Sequence, residues 1–295
     1  MDVTGDGIND IISGCYVADV EREKGIAYQY VIAGKADGSF EKATPIKASD
    51  GKPLTLPGIN GKDRYDISSI CTHPFACDWD GDGDLDLLVG NFQGTFYLAE
   101  NIGTATAPSW KAEGEWIKGG GGSELHLKQY HGAPFVIDWD GDGDLDILTG
   151  TSKGGVQWAE NSGTRKQPSF NGFQELIKKA PASMPELSES DEDILPSDST
   201  RLWVTDINGD GVHDLLVGDK VDLNRKKKSL SEKEFTQLKA AYDAETQEIQ
   251  KLWREVTPHS EKAKKLGPRQ MKLHESRRGF IDTERTGFVW LYLGH

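Results

Sequence analysis

Four copies of one acidic nonapeptide recur along the 295-residue chain, and they restrict its fold more than any other feature. They read DVTGDGIND (Asp2–Asp10), DWDGDGDLD (Asp78–Asp86), DWDGDGDLD again (Asp138–Asp146) and DINGDGVHD (Asp206–Asp214). Each copy has an oxygen-bearing side chain at positions 1, 3, 5 and 9 and glycine at positions 4 and 6. A ring of such oxygens is a cage for a hard cation, and calcium suits it best. An EF-hand shares the early positions but needs a bidentate Glu at position 12 and flanking helices. Position 12 here is Ser13, Val89, Thr149 and Val217, and the residues after each loop are strand-like.

The repeat extends beyond the loop. An apolar run follows each copy (IIS, LLV, ILT, LLV) and ends at Gly14, Gly90, Gly150 and Gly218, a pattern that predicts a buried strand closed by a turn glycine. Copies two and three also agree at Asn101 and Asn161, and at Pro108-Ser-Trp110 and Pro168-Ser-Phe170. The unit reads strand, acidic loop, strand, glycine turn, aromatic-rich strand, Asn-x-Gly turn, fourth strand. First aspartates lie 76, 60 and 68 residues apart. A four-stranded unit of that length is a propeller blade, which buries its faces by stacking on neighbours. A thin antiparallel solenoid is the alternative. The predicted fold is all-β: a β-propeller of four-stranded antiparallel blades at about 1–66, 67–128, 129–198 and 199–295.

The pattern D-x-[DN]-x-D-G-x-x-D, followed by an apolar strand and glycine, resembles the FG-GAP/VCBS-type repeat. That repeat is found in the propellers of integrin α subunits and of many secreted bacterial proteins. The resemblance implies calcium in each loop between the first two strands of a blade. Carried over, the ligands are Asp78, Asp80, Asp82 and Asp86 with the carbonyl of Asp84, then Asp138, Asp140, Asp142 and Asp146 with the carbonyl of Asp144. The fourth copy supplies Asp206, Asn208, Asp210 and Asp214 with the carbonyl of Val212. The first supplies Asp2, Thr4, Asp6 and Asp10 with the carbonyl of Ile8, where Thr4 departs from the pattern. Ligand charge tunes affinity, so the two all-Asp loops are expected to bind most tightly, the Asn208 loop next and the Thr4 loop least. The ion's role is expected to be structural, stabilising the fold by about 1–2 kcal/mol per site at millimolar calcium.

The formal charge is −14, which disfavours nucleic acid and anionic membranes as partners. The four loops hold 16 of the 48 acidic residues, so metal binding and folding are expected to be coupled. Cys15, Cys71 and Cys77 are too few for a disulfide framework and read as small buried residues, although Cys71 and Cys77 could pair if the chain folds back at Pro74. No stretch is long and apolar enough to span a membrane. Met1 directly precedes Asp2, whereas apolar residues precede the later copies (PFAC, PFVI, RLWVT). The first blade is therefore read as lacking its opening strand, with any export signal and further blades lying upstream.

Two segments differ from the repeat. Residues 186–198 are acidic and flanked by prolines, which predicts an exposed loop. Residues 225–280 predict a helical hairpin inserted in blade four. Phe235, Leu238, Tyr242, Ile249 and Leu252 fall at helical spacing, and Ser229/Glu232 or Ser231/Glu234 supplies a capping box. The second helix, from about Ser260 to Arg278, is expected to break at Gly267-Pro268. Residues 221–285 carry a balance of +5, leaving −19 on the rest. Trp79 and Trp139, inside their loops, read as packing residues or as a sugar-stacking platform. Histidines are scattered, and no established zinc, triad or phosphate-loop spacing occurs. The expected function is that of a noncatalytic, exported calcium propeller that binds a glycan or protein ligand or serves a surface role. The alternatives are the propeller of a carbohydrate-active enzyme such as a polysaccharide lyase, or a scaffold whose insert recruits a protein.

Overall fold

A computed structural model describes residues 1–16, 26–56, 67–180, 195–257 and 260–294. Most of the acidic segment at 186–198 lies outside these residues. The chain divides into two compact units. The first comprises Met1–Ala180, Leu195–Lys220 and Phe288–His295, and the second Pro181–Ile194 and Val221–Gly287.

The first unit is a propeller-like all-β fold built from successive antiparallel sheets. The opening sheet has three strands, β1 (Ile11–Ser13), β2 (Tyr30–Ile32) and β3 (Thr44–Pro45). The second has four in sequence order: β4 (His73–Cys77), β5 (Asp86–Gly90), β6 (Phe96–Ala99) and β7 (Glu115–Trp116). The third repeats that order with β8 (Ala133–Ile137), β9 (Asp146–Gly150), β10 (Val156–Ala159) and β11 (Gln174–Ile177). In the fourth, β12 (Asp198–Thr205) pairs with β13 (Asp214–Lys226), which also pairs with β15 (Val289–Tyr292) through Leu215–Gly218. The first acidic nonapeptide leads into β1, and copies two to four each join the first strand of their sheet to the second.

Burial explains why these second strands read as unbroken apolar runs. Along β5, Leu87 and Val89 enter the core formed with Val3, Leu54 and Trp110, while Leu88 points the other way to meet Phe96, Val136 and Ile147. Along β9, Ile147 belongs to that second core and Leu148 to a third, with Phe135, Leu215 and Val217. A strand covered on both faces needs apolar residues at every position rather than at alternate ones.

The repeated glycine has a different role from the turn expected of it. Gly90 and Gly150 are the last residues of β5 and β9, and the turns follow them. A Cβ on Gly14, Gly90 or Gly150 would lie 1.8, 2.2 or 2.2 Å from the carbonyl oxygen of Thr72, Gly132 or Thr200, at or just before the start of the first strand of the next sheet. The glycine therefore sets how closely adjacent blades approach. At Gly218 nothing lies closer than 3.9 Å.

The second unit contains the helical hairpin in the last blade. The outer half of β13, Val221–Lys226, pairs with β14 (Ile281–Thr286) as a ribbon. From it rise α1 (Glu232–Arg254) and α2 (Glu261–Arg277). Ser231 and Glu234 form the capping box, which settles the choice between the two candidates. Phe235 and Tyr242 bury against Phe280 and Ile281. Ile249 is also buried, whereas Leu238 is 43 % exposed and stands off the stripe. The expected break at Gly267-Pro268 does not occur, for α2 runs through it. Pro268 lies on an exposed face, where water can take the freed carbonyl. The next residue, Arg269, ties α2 to Glu245 (2.6 Å) and Glu248 (2.8 Å) of α1. Among the described residues no helix is long and apolar enough to cross a membrane.

Candidate metal centres

Each acidic loop is built by its own backbone. In the third copy, Asp138 at position 1 accepts from the N–H groups of Gly141 (2.8 Å) and Gly143 (3.0 Å). Gly141 and Gly143 have φ of 81° and 95°, a left-handed conformation that favours glycine and turns both N–H groups inward. Asp140 and Asp142 each accept from the amide two residues on, at 3.3 and 3.0 Å. The loops of Asp2 and Asp206 reproduce the position-1 pattern through Gly5 and Gly7, and through Gly209 and Gly211.

These turns gather carboxylates. Asp78, Asp80 and Asp82 bring one oxygen each to within 4.8 Å of one another, and Asp138, Asp140 and Asp142 do the same. Asp84 and Asp144, expected to act through their carbonyls, also bury their side chains, and in each the Oδ1 atom has no hydrogen-bond partner. Burial, reinforced by the neighbouring aspartates, pushes both carboxyls up from the ordinary range. A cluster of like charges beside a buried, unpaired carboxylate oxygen is chemistry that a divalent cation would relieve. The donor set thus fits calcium, and both clusters could hold it.

Position 9 behaves differently from positions 1, 3 and 5. Both oxygens of each position-9 aspartate accept backbone N–H groups, one from its own loop and one from the end of the blade's third strand. For Asp86 the donors are Trp79 (3.0 Å) and Asn101 (2.7 Å), and for Asp146 they are Trp139 (3.2 Å) and Asn161 (2.7 Å). For Asp214 they are Ile207 and Gly294, both at 2.9 Å. Asp10 accepts from Val3, Thr4 and Gly34, each at 2.9 Å. Burial pushes the Asp86 and Asp146 carboxyls up to about 6 even so. These four side chains fasten the loop to the sheet, a role that spacing alone did not reveal.

The first and fourth loops offer only two carboxylates among positions 1, 3 and 5. Asn208 donates its Nδ2 to Asp210 at 2.8 Å and accepts the Asp210 N–H at 3.0 Å. The hydroxyl of Thr4 is buried without a partner. Ile8 is half-buried and Val212 exposed.

Residues 78–149 match the family model described as the FG-GAP-like repeat. The chain thus carries an FG-GAP-like repeat over those residues. No curated protein and no solved structure matches it.

Two features distinguish the loops from one another. Arg165, in the turn that follows Asn161, reaches across to the second loop. Its guanidinium donates to the Asp78 carbonyl and lies 3.4 Å from Asp78 Oδ2. In the other three loops the second oxygen of the position-1 aspartate accepts a glycine N–H, so in loop two Arg165 stands in for that donor. Ala105 holds the matching place in the preceding repeat, so a single position converts a neutral neighbour into a fixed cation. At the third loop the neighbour is His213, which stacks on Trp139 with ring centroids 6.2 Å apart and contacts the Asp138 carbonyl at 3.2 Å. Trp79 is buried against Phe170, which closes it to a stacked ligand, and Trp139 is half-buried beneath His213. Cys71 and Cys77 do not pair with one another, and each is half-buried rather than enclosed as expected.

Proposed function

We propose that this protein is a calcium-stabilised, noncatalytic propeller of an exported protein, used for binding or for surface structure. The observation that carries the reading is the convergence of three carboxylates in each of two repeats, beside a buried carboxylate oxygen that lacks a partner. Calcium sites of extracellular modules work at about 10⁻⁴–10⁻³ M, which suits saturation outside the cell. A binding role draws support from the fourth sheet, where Trp203, Val289 and Leu291 lie on one face and are 59, 74 and 49 % exposed. Contiguous exposed apolar side chains of this kind mark interaction surfaces.

Calorimetric calcium titration tests the reading, with thermal melting in calcium and in chelator beside it. Calcium is expected to raise the melting temperature by several degrees, and Asp138→Asn with Asp140→Asn to remove one binding event. The two all-Asp loops are no longer expected to be equal. The Arg165 cation disfavours a second positive charge at loop two, so loop three binds most tightly and Arg165→Ala narrows the gap. A melting temperature indifferent to calcium and chelator alike would overturn the reading.

A further inference from the structure

We infer that Cys71, His73 and His131 form a second kind of metal site, for a zinc-class transition ion, beside a cavity lined by residues of β1, β4, β8 and β12. One donor atom from each of the three lies within 4.8 Å of the others. Cys71 Sγ is 3.5 Å from His131 Nδ1. Cys71 and His73 stand at the entrance to β4, and His131 stands two residues before β8. Two blades, 60 residues apart in sequence, thus contribute to one cluster, which is why no local spacing announced it. The donor chemistry differs from that of the acidic loops. A thiolate and two imidazoles select a borderline-soft ion, whereas an all-oxygen cage selects calcium.

The surroundings support a built site rather than a chance meeting. Cys71 and His131 adopt φ of 54° and 57°, as does Tyr130 at 57°. Left-handed backbone is unfavourable for these residue types and persists only where the structure holds it in place. His131 is braced from behind. Its N–H donates to the Phe92 carbonyl at 3.0 Å, and its ring packs on Phe92 with centroids 4.4 Å apart. All three donors are half-buried. Cys71 and His73 line a cavity of about 450 Å³ that also takes in Cys15, Pro134, Phe135 and Arg201. With three protein ligands, two of them lining this cavity, a fourth position stays open.

Arg201 is the competing group. Its guanidinium lies 3.3 Å from His73 Nε2 and donates to the Thr200 carbonyl at 2.7 Å. The guanidinium charge beside His73 repels a metal cation held by the same imidazole. Replacing Arg201 with glutamine is therefore expected to tighten metal binding.

Cobalt(II) titration of the purified chain in excess calcium, which occupies the oxygen loops, tests the site. Cobalt bound to a thiolate gives a near-ultraviolet charge-transfer band that carboxylate-bound cobalt lacks. One equivalent is expected to bind with that band, and zinc to displace it. Cys71→Ser abolishes the band, and His73→Gln and His131→Gln each weaken binding by about tenfold or more. Cys77→Ser leaves the band in place, and Arg201→Gln keeps it at higher affinity. Absence of a thiolate band from a folded protein, or its survival in Cys71→Ser, overturns the assignment. Should Cys71→Ser fail to fold, unchanged cobalt affinity in both histidine variants overturns it equally.

Discussion

Gly150 and Gly218 occupy the same place in the repeat and face different neighbours. A Cβ at Gly150 would sit 2.2 Å from the Thr200 carbonyl oxygen, while at Gly218 the nearest atom is 3.9 Å away. Neither has the left-handed backbone that would itself require glycine. Gly150→Ala must therefore push two blades apart and is expected to destabilise the fold by about 1–3 kcal/mol. Gly218→Ala meets no obstacle and is expected to be neutral, or stabilising by roughly 0.4–1 kcal/mol through the unfolded chain. Urea midpoints of the two variants against the parent protein check this. The glycine was legible in the sequence as a repeated position. Its reason was not, because the atom that forbids a side chain belongs to a strand about fifty residues downstream. Arg165 was hidden in the same way: nothing in its own repeat shows that it ends beside Asp78.

At the level of strands and helices, much could be read in advance. The apolar runs after each acidic loop became β5, β9 and the inner half of β13, and the helical spacing around Phe235 and Tyr242 became α1. These signals are local, since they depend on which faces are buried and on capping chemistry within a few residues. Readings failed where a distant contact decided the outcome, as at Pro268, where Arg269 holds α2 against α1. The position-9 aspartates show a further role of the same distant origin. They were read as ligands because carboxylate spacing speaks of metals, whereas their N–H partners Asn101, Asn161 and Gly294 come from the far end of another strand. Asp214→Ala would strip the part-buried Ile207 and Gly294 amides of their acceptor. The expected loss is about 2–4 kcal/mol, seen in chelator as a lower urea midpoint with an unchanged slope. Because no metal is present in that measurement, the loss reports the fastening of loop to sheet alone.

Across the whole chain, charge is concentrated rather than spread. Sixteen acidic side chains sit in four short loops of a protein whose formal charge is −14. In chelator their repulsion opposes the fold, and monovalent salt can screen it, since the Debye length falls to about 10 Å at 0.1 M. Sodium chloride is therefore expected to raise the melting temperature of the chelated protein and to leave the calcium-loaded protein nearly unchanged. Differential scanning calorimetry over a salt series decides this, and an equal response in both forms would count against electrostatic crowding in the loops. The double-sided burial of β5 and β9 carries a further consequence. Leu88 and Leu148 look one way while Leu87 and Ile147 look the other, so no single repeat owns a hydrophobic interior. Excising one repeat would leave its two neighbours each with a greasy, uncovered flank, and a protease that cut out the middle of this chain would recover no surviving fragment of repeat size.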